Sequence, residues 1–249
     1  MHRELRLFFT ALIFLTRIPC ARWAGGSEDD LSHAARYFSL VGLVVGLVAA
    51  AVFWLAALVF PHAIAVIASM VATLWLTGAF HEDGLADAMD GLGGGWSKEQ
   101  VLTIMKDSRI GTYGAVALVM SLLVKFTVLS ALPAVWLPVL LVAAHALSRF
   151  AAVLVIYFQN YVRETGKAKP LAQRISTREL GIAGLFGLAP LALLPLHWLL
   201  GLLPMALVWL WFSHKLKQRL GGYTGDCLGA MQQLCELTFY LGVLACGSI

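Results

Sequence analysis

The sequence predicts an all-α fold, a polytopic transmembrane helix bundle, and three observations carry that prediction. Hydrophobic residues make up 60% of the 249 positions and charged residues 13%, where a soluble domain averages about a quarter charged. Apolar stretches recur at about the 20-residue length that crosses a bilayer. The basic residues gather in alternate connections between those stretches. Such a chain cannot cover a globule with a polar surface. Its net charge of +4 is modest and forms no basic stripe, so nucleic acid is excluded as a partner and membrane lipid is expected. The four cysteines, Cys20, Cys227, Cys235 and Cys246, show neither a CxxC pair nor a metal-ligand spacing.

The elements follow in chain order. Residues 1–19 combine basic residues with an apolar stretch but lack a small-residue cleavage site, so they are expected to stay in the mature protein. Residues 5–18 are too short to cross and are expected to lie in the interface or re-enter it. Spans are predicted at 37–60, 63–80, 112–132, 134–158 and 227–246. Residues 180–213 are too long for one span, and Pro195 divides them into two short helices in a tight hairpin. That gives about seven spans in one integral membrane domain, 1–249. Between them, 97–109 reads as a short amphipathic cytoplasmic helix. Ser97 and Gln100 carry its capping-box signal, and Val101, Ile104 and Met105 form an apolar stripe for the membrane surface.

Charge then orients the bundle. Of the 18 Lys and Arg residues, five lie in 1–36, three in 81–111, five in 159–179 and three in 214–226. The connectors near Pro61, Pro133 and His197 carry none, while Lys125 and Arg149 fall inside spans. Basic loops stay in the cytoplasm. The chain is therefore expected in the cytoplasmic (inner) membrane, with loops 81–111 and 214–226 forming a site on the cytoplasmic side.

The densest polar run is His81-Glu82-Asp83-Gly84-Leu85-Ala86-Asp87-Ala88-Met89-Asp90-Gly91. If the preceding helix continues at ~100° per residue, Asp83, Asp87 and Asp90 share an arc of roughly 60°, with Glu82 about 80° or more away. Three aspartates on one face at a membrane boundary repel one another and resist desolvation. A divalent cation relieves both problems, and carboxylate oxygens suit Mg²⁺ or Mn²⁺. The plainer reading is a solvated acidic helix end, but the i, i+4, i+7 spacing among Gly, Ala and Leu favours the metal. Lys106 and Arg109, three apart, either present a cationic pair to phosphate oxygens or anchor topology. In Gly221-Gly222-Tyr223-Thr224-Gly225-Asp226, backbone N–H groups and a helix N-terminus can face an anion. Asp226 reads first as an N-cap and second as a further carboxylate of the metal site. Arg149, with His145 and Ser148 nearby, is costly inside a bilayer and so functional unless it pairs with Glu236 or a helix C-terminus. Lys125 is expected to snorkel. Gln173, Arg174 and Arg178 read as loop charges.

These residues stand in blocks: Phe14-Leu15-Thr16-Arg17-Ile18-Pro19, the His81–Gly91 run, Ile104-Met105-Lys106-Asp107-Ser108-Arg109-Ile110-Gly111-Thr112-Tyr113-Gly114, Ser148-Arg149, and Gly221 through Ala230. In these blocks the sequence resembles the cobalamin synthase family, the adenosylcobinamide-GDP ribazoletransferases, over nearly its whole length. It departs in lacking a Pro near Ser39, in lacking a Glu-Gly-Leu-Gly run within 163–170, and in placing Glu82 where the family pattern is free. The resemblance implies that adenosylcobinamide-GDP is joined to α-ribazole or its 5′-phosphate with loss of GMP. It implies Mg²⁺ or Mn²⁺ on Asp83, Asp87 and Asp226, with Asp90 as ligand or general base and Asp87 sharing in catalysis. Lys106, Asp107, Ser108, Arg109, Arg149, Gly222, Thr224 and Gly225 would then bind substrate. A homo-oligomer, or association with other cobalamin-pathway enzymes, stays open. Two rival classes stand against it. CDP-alcohol phosphotransferases share the Asp83-Gly84-Leu85-Ala86 opening but continue with Arg where this chain has Asp87. A divalent-cation transporter would place its carboxylates mid-span.

Overall fold

A computed structural model describes residues 3–25, 27–163, 168–169 and 175–247. Among these the secondary structure is helical, and the only β pairing is an isolated bridge between Tyr161 and Tyr223. Helix α1 (Arg3–Leu15) is amphipathic and buries Leu7, Ala11, Leu12 and Leu15. Ser27 caps α2 (Glu28–Ala34) by accepting from Asp30 N at 3.0 Å. The chain then enters α3 (Phe38–Ala57). That helix packs along α8 (Leu137–Phe158), where Gly42 and Gly46 lie directly against the backbone of His145, Ala146 and Val142. Small residues allow such close approach between membrane helices, and α8 is accordingly buried on most of its faces.

Four helical runs are long and apolar enough to cross a membrane. They are Asp29–Ala57, α7 (Thr112–Ala131), α8, and Leu196–Leu220, which contains α10 (Leu202–Leu220). Helix α4 (His62–Thr77) joins them only when paired with α5 (Phe80–Gly94), from which it is bent by 84°. Length and hydropathy therefore bear out a membrane bundle of four to five such spans, without reaching the expected seven. Helix α9 (Thr177–Leu188) has only 12 residues, and α11 (Gly225–Gly247) carries Gln232, Gln233 and Glu236 along its middle. The expected hairpin of two short helices in 180–213 is also revised. After α9 the chain runs through 3-10 turns at Ala189–Leu193 and Leu196–Gly201, and α10 continues past Ser213 to Leu220.

The largest correction lies ahead of the aspartates, where the apolar helix does not continue. Gly78 (φ 67°) and Ala79 (φ 56°) are both left-handed, a conformation costing a non-glycine residue roughly 1–2 kcal/mol. Ala79 N donates to Leu74 O at 2.8 Å, closing α4. Arg17 N donates to Leu76 O at 2.8 Å, and its guanidinium covers Gly78 so closely that a Cβ there would collide with it. Helix α5 thus runs nearly at right angles to α4. Its C-terminal carbonyls are closed by a cation: Arg219 at the end of α10 donates to Leu92 O at 3.4 Å and to Gly95 O.

Helix α6 (Lys98–Ile104) has the expected capping box between Ser97 and Gln100. It ends at Ile104, five residues short of Arg109, and its stripe meets protein rather than the membrane surface. Val101 and Met105 are buried, filling the space beside Gly91 and Gly95 of α5.

Candidate active site

Helices α5 and α11 cross where both lack side chains. A Cβ on Gly84 would meet Asp226 O at 2.9 Å and Gly229 Cα at 3.2 Å. This close crossing brings Asp83 and Asp87 beside Asp226. The segment before α11 is held by the isolated bridge, in which Tyr223 N donates to Asn160 O at 2.9 Å and Val162 N to Tyr223 O at 3.0 Å. The same bridge delivers Arg163, whose Nη2 lies 2.7 Å from Asp226 Oδ2. Together these pieces enclose a cavity of about 500 Å³ lined by Asp83, Asp87, Asp226, Lys106, Asp107, Ser108, Tyr161, Arg163 and Gly225, among others.

The cavity is short of positive charge. Burial, then the neighbouring Asp226 and Asp83 carboxylates, push the Asp87 carboxyl up to about 7, against a smaller opposing pull from Arg163. Among the described residues no group of three or more His, Cys, Asp or Glu side chains converges tightly enough to hold a metal unaided. Mg²⁺ in phosphate-handling sites commonly takes one or two carboxylates and completes its shell with water and substrate phosphates. The hard oxygens of Asp83, Asp87 and Asp226, and the repulsion recorded at Asp87, fit an ion shared in that way.

The other expected residues divide. Asp90 keeps to the same helix but not to the cavity, because both its oxygens are engaged. Oδ2 accepts from Gly111 N at 2.7 Å and Oδ1 from Gly114 N at 2.8 Å. It satisfies amides at the start of α7 that have no partner within their own helix. Lys106, Asp107 and Ser108 line the cavity. Arg109 does not stand beside Lys106, since the helix that would pair them has ended. It is 87% exposed and bound to Asp107 at 2.8 Å. Gly225 lines the cavity, while Gly222 sits against Asn160 O and shapes the loop. Thr224 is fully buried, and its Oγ1 accepts from Cys227 N at 3.3 Å. Thr224, not Asp226, therefore serves the N-terminus of α11, leaving Asp226 to face the cavity.

Arg149 is buried in α8 and lines a smaller apolar recess with Phe14, Phe38 and Phe80. The recess shares Phe80, Ala168 and Gly225 with the main cavity. Arg149 Nη1 donates to His145 O at 3.0 Å, which ties it to a buried polar network. Lys125 Nζ lies 3.1 Å from Glu236 Oε1 and donates to Gln233 Oε1 at 3.0 Å, so Lys125 does not snorkel. His145 Nδ1 lies 3.3 Å from Glu236 Oε2. Gln232 Nε2 donates to Glu236 Oε2 at 2.6 Å and to Ser148 Oγ at 2.8 Å. Gln233 Nε2 donates to Glu82 Oε1 at 2.9 Å.

Two residues escaped the sequence reading. Arg163 is one of five basic residues in 159–179, and no spacing separates it from the rest. Only the Tyr161–Tyr223 bridge does. Glu82 had a signal available in the polar Gln232, Gln233 and Glu236 of the last span, which require a partner inside the bundle. Gln173, Arg174 and most of the loop 163–170 lie outside the described residues, and Arg178 falls in the first turn of α9.

Apolar helices of spanning length define an integral membrane protein, with a carboxylate-lined cavity where α5 crosses the start of α11. The chain belongs to the cobalamin-5-phosphate synthase family, whose profile matches residues 7–244. It is 45% identical over 260 residues to an adenosylcobinamide-GDP ribazoletransferase of Shewanella sp. (strain W3-18-1), covering 100% of this chain and 97% of the relative. A protein of the same name from Shewanella frigidimarina is 47% identical over 257 residues, covering 98% and 96%. No solved structure matches the chain. The resemblance seen in the sequence blocks is thereby borne out.

Proposed function

We propose that this chain transfers the cobinamide phosphate of adenosylcobinamide-GDP to a ribose hydroxyl of α-ribazole or its 5′-phosphate, releasing GMP. Three aspartates around one cavity, in a chain of this family, carry the reading. In the reaction the hydroxyl oxygen bonds to the phosphorus next to cobinamide, and the bond from that phosphorus to the GMP oxygen breaks. Asp83, Asp87 and Asp226 would hold a Mg²⁺ or Mn²⁺ ion, which would supply charge neutralisation for the diphosphate. Lys106 reaches the same cavity as a further cation for phosphate oxygens, while Ser108 and the Gly225 backbone line it as neutral contacts. In a loose transition state the hydroxyl proton leaves late, so a weak base suffices.

We place the protein in the cytoplasmic membrane with this cavity on the cytoplasmic side, from the distribution of its basic residues. One experiment tests site and side together. Sealed inside-out vesicles containing the protein, given both substrates and Mg²⁺ from outside, are expected to release GMP and form a new corrinoid, and to stop on chelation. Right-side-out vesicles are expected to be silent. Absence of GMP from both preparations overturns the function, and GMP from the right-side-out vesicles alone overturns the orientation.

A further inference from the structure

We infer that Arg163 is an exchangeable counter-ion: it pairs with Asp226 while the cavity is without a cation, and passes to the substrate diphosphate once a cation takes Asp226. This rests on the function proposed above and adds a residue to it. Three observations support it. Among the described residues, Arg163 is the one cation of the cavity ion-paired to a candidate metal carboxylate, at 2.7 Å from Asp226 Oδ2. Its side chain is only 12% exposed and its backbone follows directly on the bridge to Tyr223, unlike the solvated Arg109. Its Nε is buried without a hydrogen-bond acceptor among the described residues. A guanidinium has five donors in a rigid plane that matches phosphate, so one carboxylate oxygen leaves most of that fork unused.

The consequence is a competition with a defined sign. Arg163 and a divalent cation both seek Asp226, so each weakens the other's hold on it. When the cation wins, a buried guanidinium is left without its partner, which is costly unless an anion replaces the carboxylate. A diphosphate arriving with its own oxygens for the cation supplies that anion. Cation and diphosphate are thus coupled through Arg163, and neither is expected to bind as well alone as with the other.

The test uses the full-length protein in detergent and Mn²⁺ alone as the probe, read by electron paramagnetic resonance. Arg163→Gln is expected to bind Mn²⁺ about fivefold more tightly than wild type without substrate, because the competitor is gone. Its melting temperature without metal should fall, and its KM for adenosylcobinamide-GDP should rise by about tenfold, the loss of a charged hydrogen bond. A purely structural arginine would lower stability with and without Mn²⁺ alike and would not tighten binding. Unchanged or weaker Mn²⁺ binding overturns the exchange. Should Arg163→Gln fail to fold, Arg163→Lys decides: it keeps the charge on Asp226 but not the fork, so Mn²⁺ affinity should stay near wild type while KM rises. An unchanged KM in that variant overturns the diphosphate half. If wild type releases no GMP at all, the proposed function fails, and the Mn²⁺ titration still judges the competition for Asp226.

Discussion

Glu82 and Asp83 are neighbours on α5 and serve two opposite environments. Glu82 reaches into the buried network, where Gln233 donates to it. Asp83 lines the cavity with Asp87 and Asp226. In the network, Glu236 pairs with Lys125 and His145, and the amides of Gln232 and Gln233 donate to Glu236 and Glu82, while Glu82 Oε2 and Arg149 Nε have no hydrogen-bond partner among the described residues. In the cavity, Asp83, Asp87, Asp107 and Asp226 face Lys106 and Arg163. Both regions concentrate ionisable groups within a membrane protein, where each is costly. The more evenly paired set ties α5, α7, α8 and α11 together. The unbalanced set carries repulsion that a proton on Asp87 relieves at lower pH and that the proposed cation would relieve when bound. Charge balance, more than the presence of charge, separates scaffold from site here.

The largest effect should come from removing charge on the unbalanced side. Asp87→Asn keeps size and hydrogen bonding but lowers the attraction for a cation, and turnover is expected to fall by about 10²–10³-fold. The protein should remain folded, with a metal-free melting temperature equal to or above wild type, because repulsion from Asp83 and Asp226 is reduced. GMP release measured against Mg²⁺ concentration, beside a melting curve in detergent, checks both halves. Near-normal turnover with an unchanged Mg²⁺ requirement would erase the distinction between cavity and network.

Removing charge on the balanced side should do the reverse. Glu236→Gln leaves Lys125 and His145 without their carboxylate and is expected to destabilise the bundle by about 3–5 kcal/mol. GMP release per folded molecule should change little, since Glu236 does not line the cavity. Denaturation in detergent, combined with activity normalised to folded protein, reads the two separately. A stable Glu236→Gln that loses turnover moves the network into the catalytic machinery.

The smallest effect sharpens the comparison through pH. The Asp87 carboxyl lies at about 7 against an ordinary 3.8. A raised acid means that the folded, metal-free protein keeps a proton that the unfolded chain has released. Its contribution to metal-free stability is therefore fully present below the unfolded value and is lost as pH rises through about 7. Cation binding needs the carboxylate, so Mn²⁺ affinity should drop about tenfold per unit below pH 7 and level off above it. A flat Mn²⁺ affinity between about pH 5.5 and about pH 8 would separate Asp87 from the ion.

Several features were legible because they depend on local pattern. Hydropathy located α3, α7 and α8 close to their observed bounds, and the capping box at Ser97 marked the start of α6 correctly. The helical period placed Asp83 and Asp87 on a common face, and both reach the cavity. The same period put Asp90 with them, yet a helix face is wider than a cavity. Its last turn lies under α7, where free amides claimed the carboxylate. Lys106 and Arg109 parted for a related reason: their pairing assumed a helix that stops at Ile104.

By itself the sequence determined the membrane class, the helical segments, the acidic face of α5 and the family, since each follows from composition, period or an ordered set of motifs. Tertiary structure alone decided which carboxylates converge. The 84° turn at Gly78 and Ala79 aims α5 across α11, the Gly84–Gly229 crossing draws Asp226 to Asp83 and Asp87, and the Tyr161–Tyr223 bridge brings in Arg163. Two left-handed residues, a contact between glycines 145 positions apart, and one bridge leave no periodic trace in the chain. They fix the site through backbone approach, a property of the folded shape that no local pattern of side chains encodes.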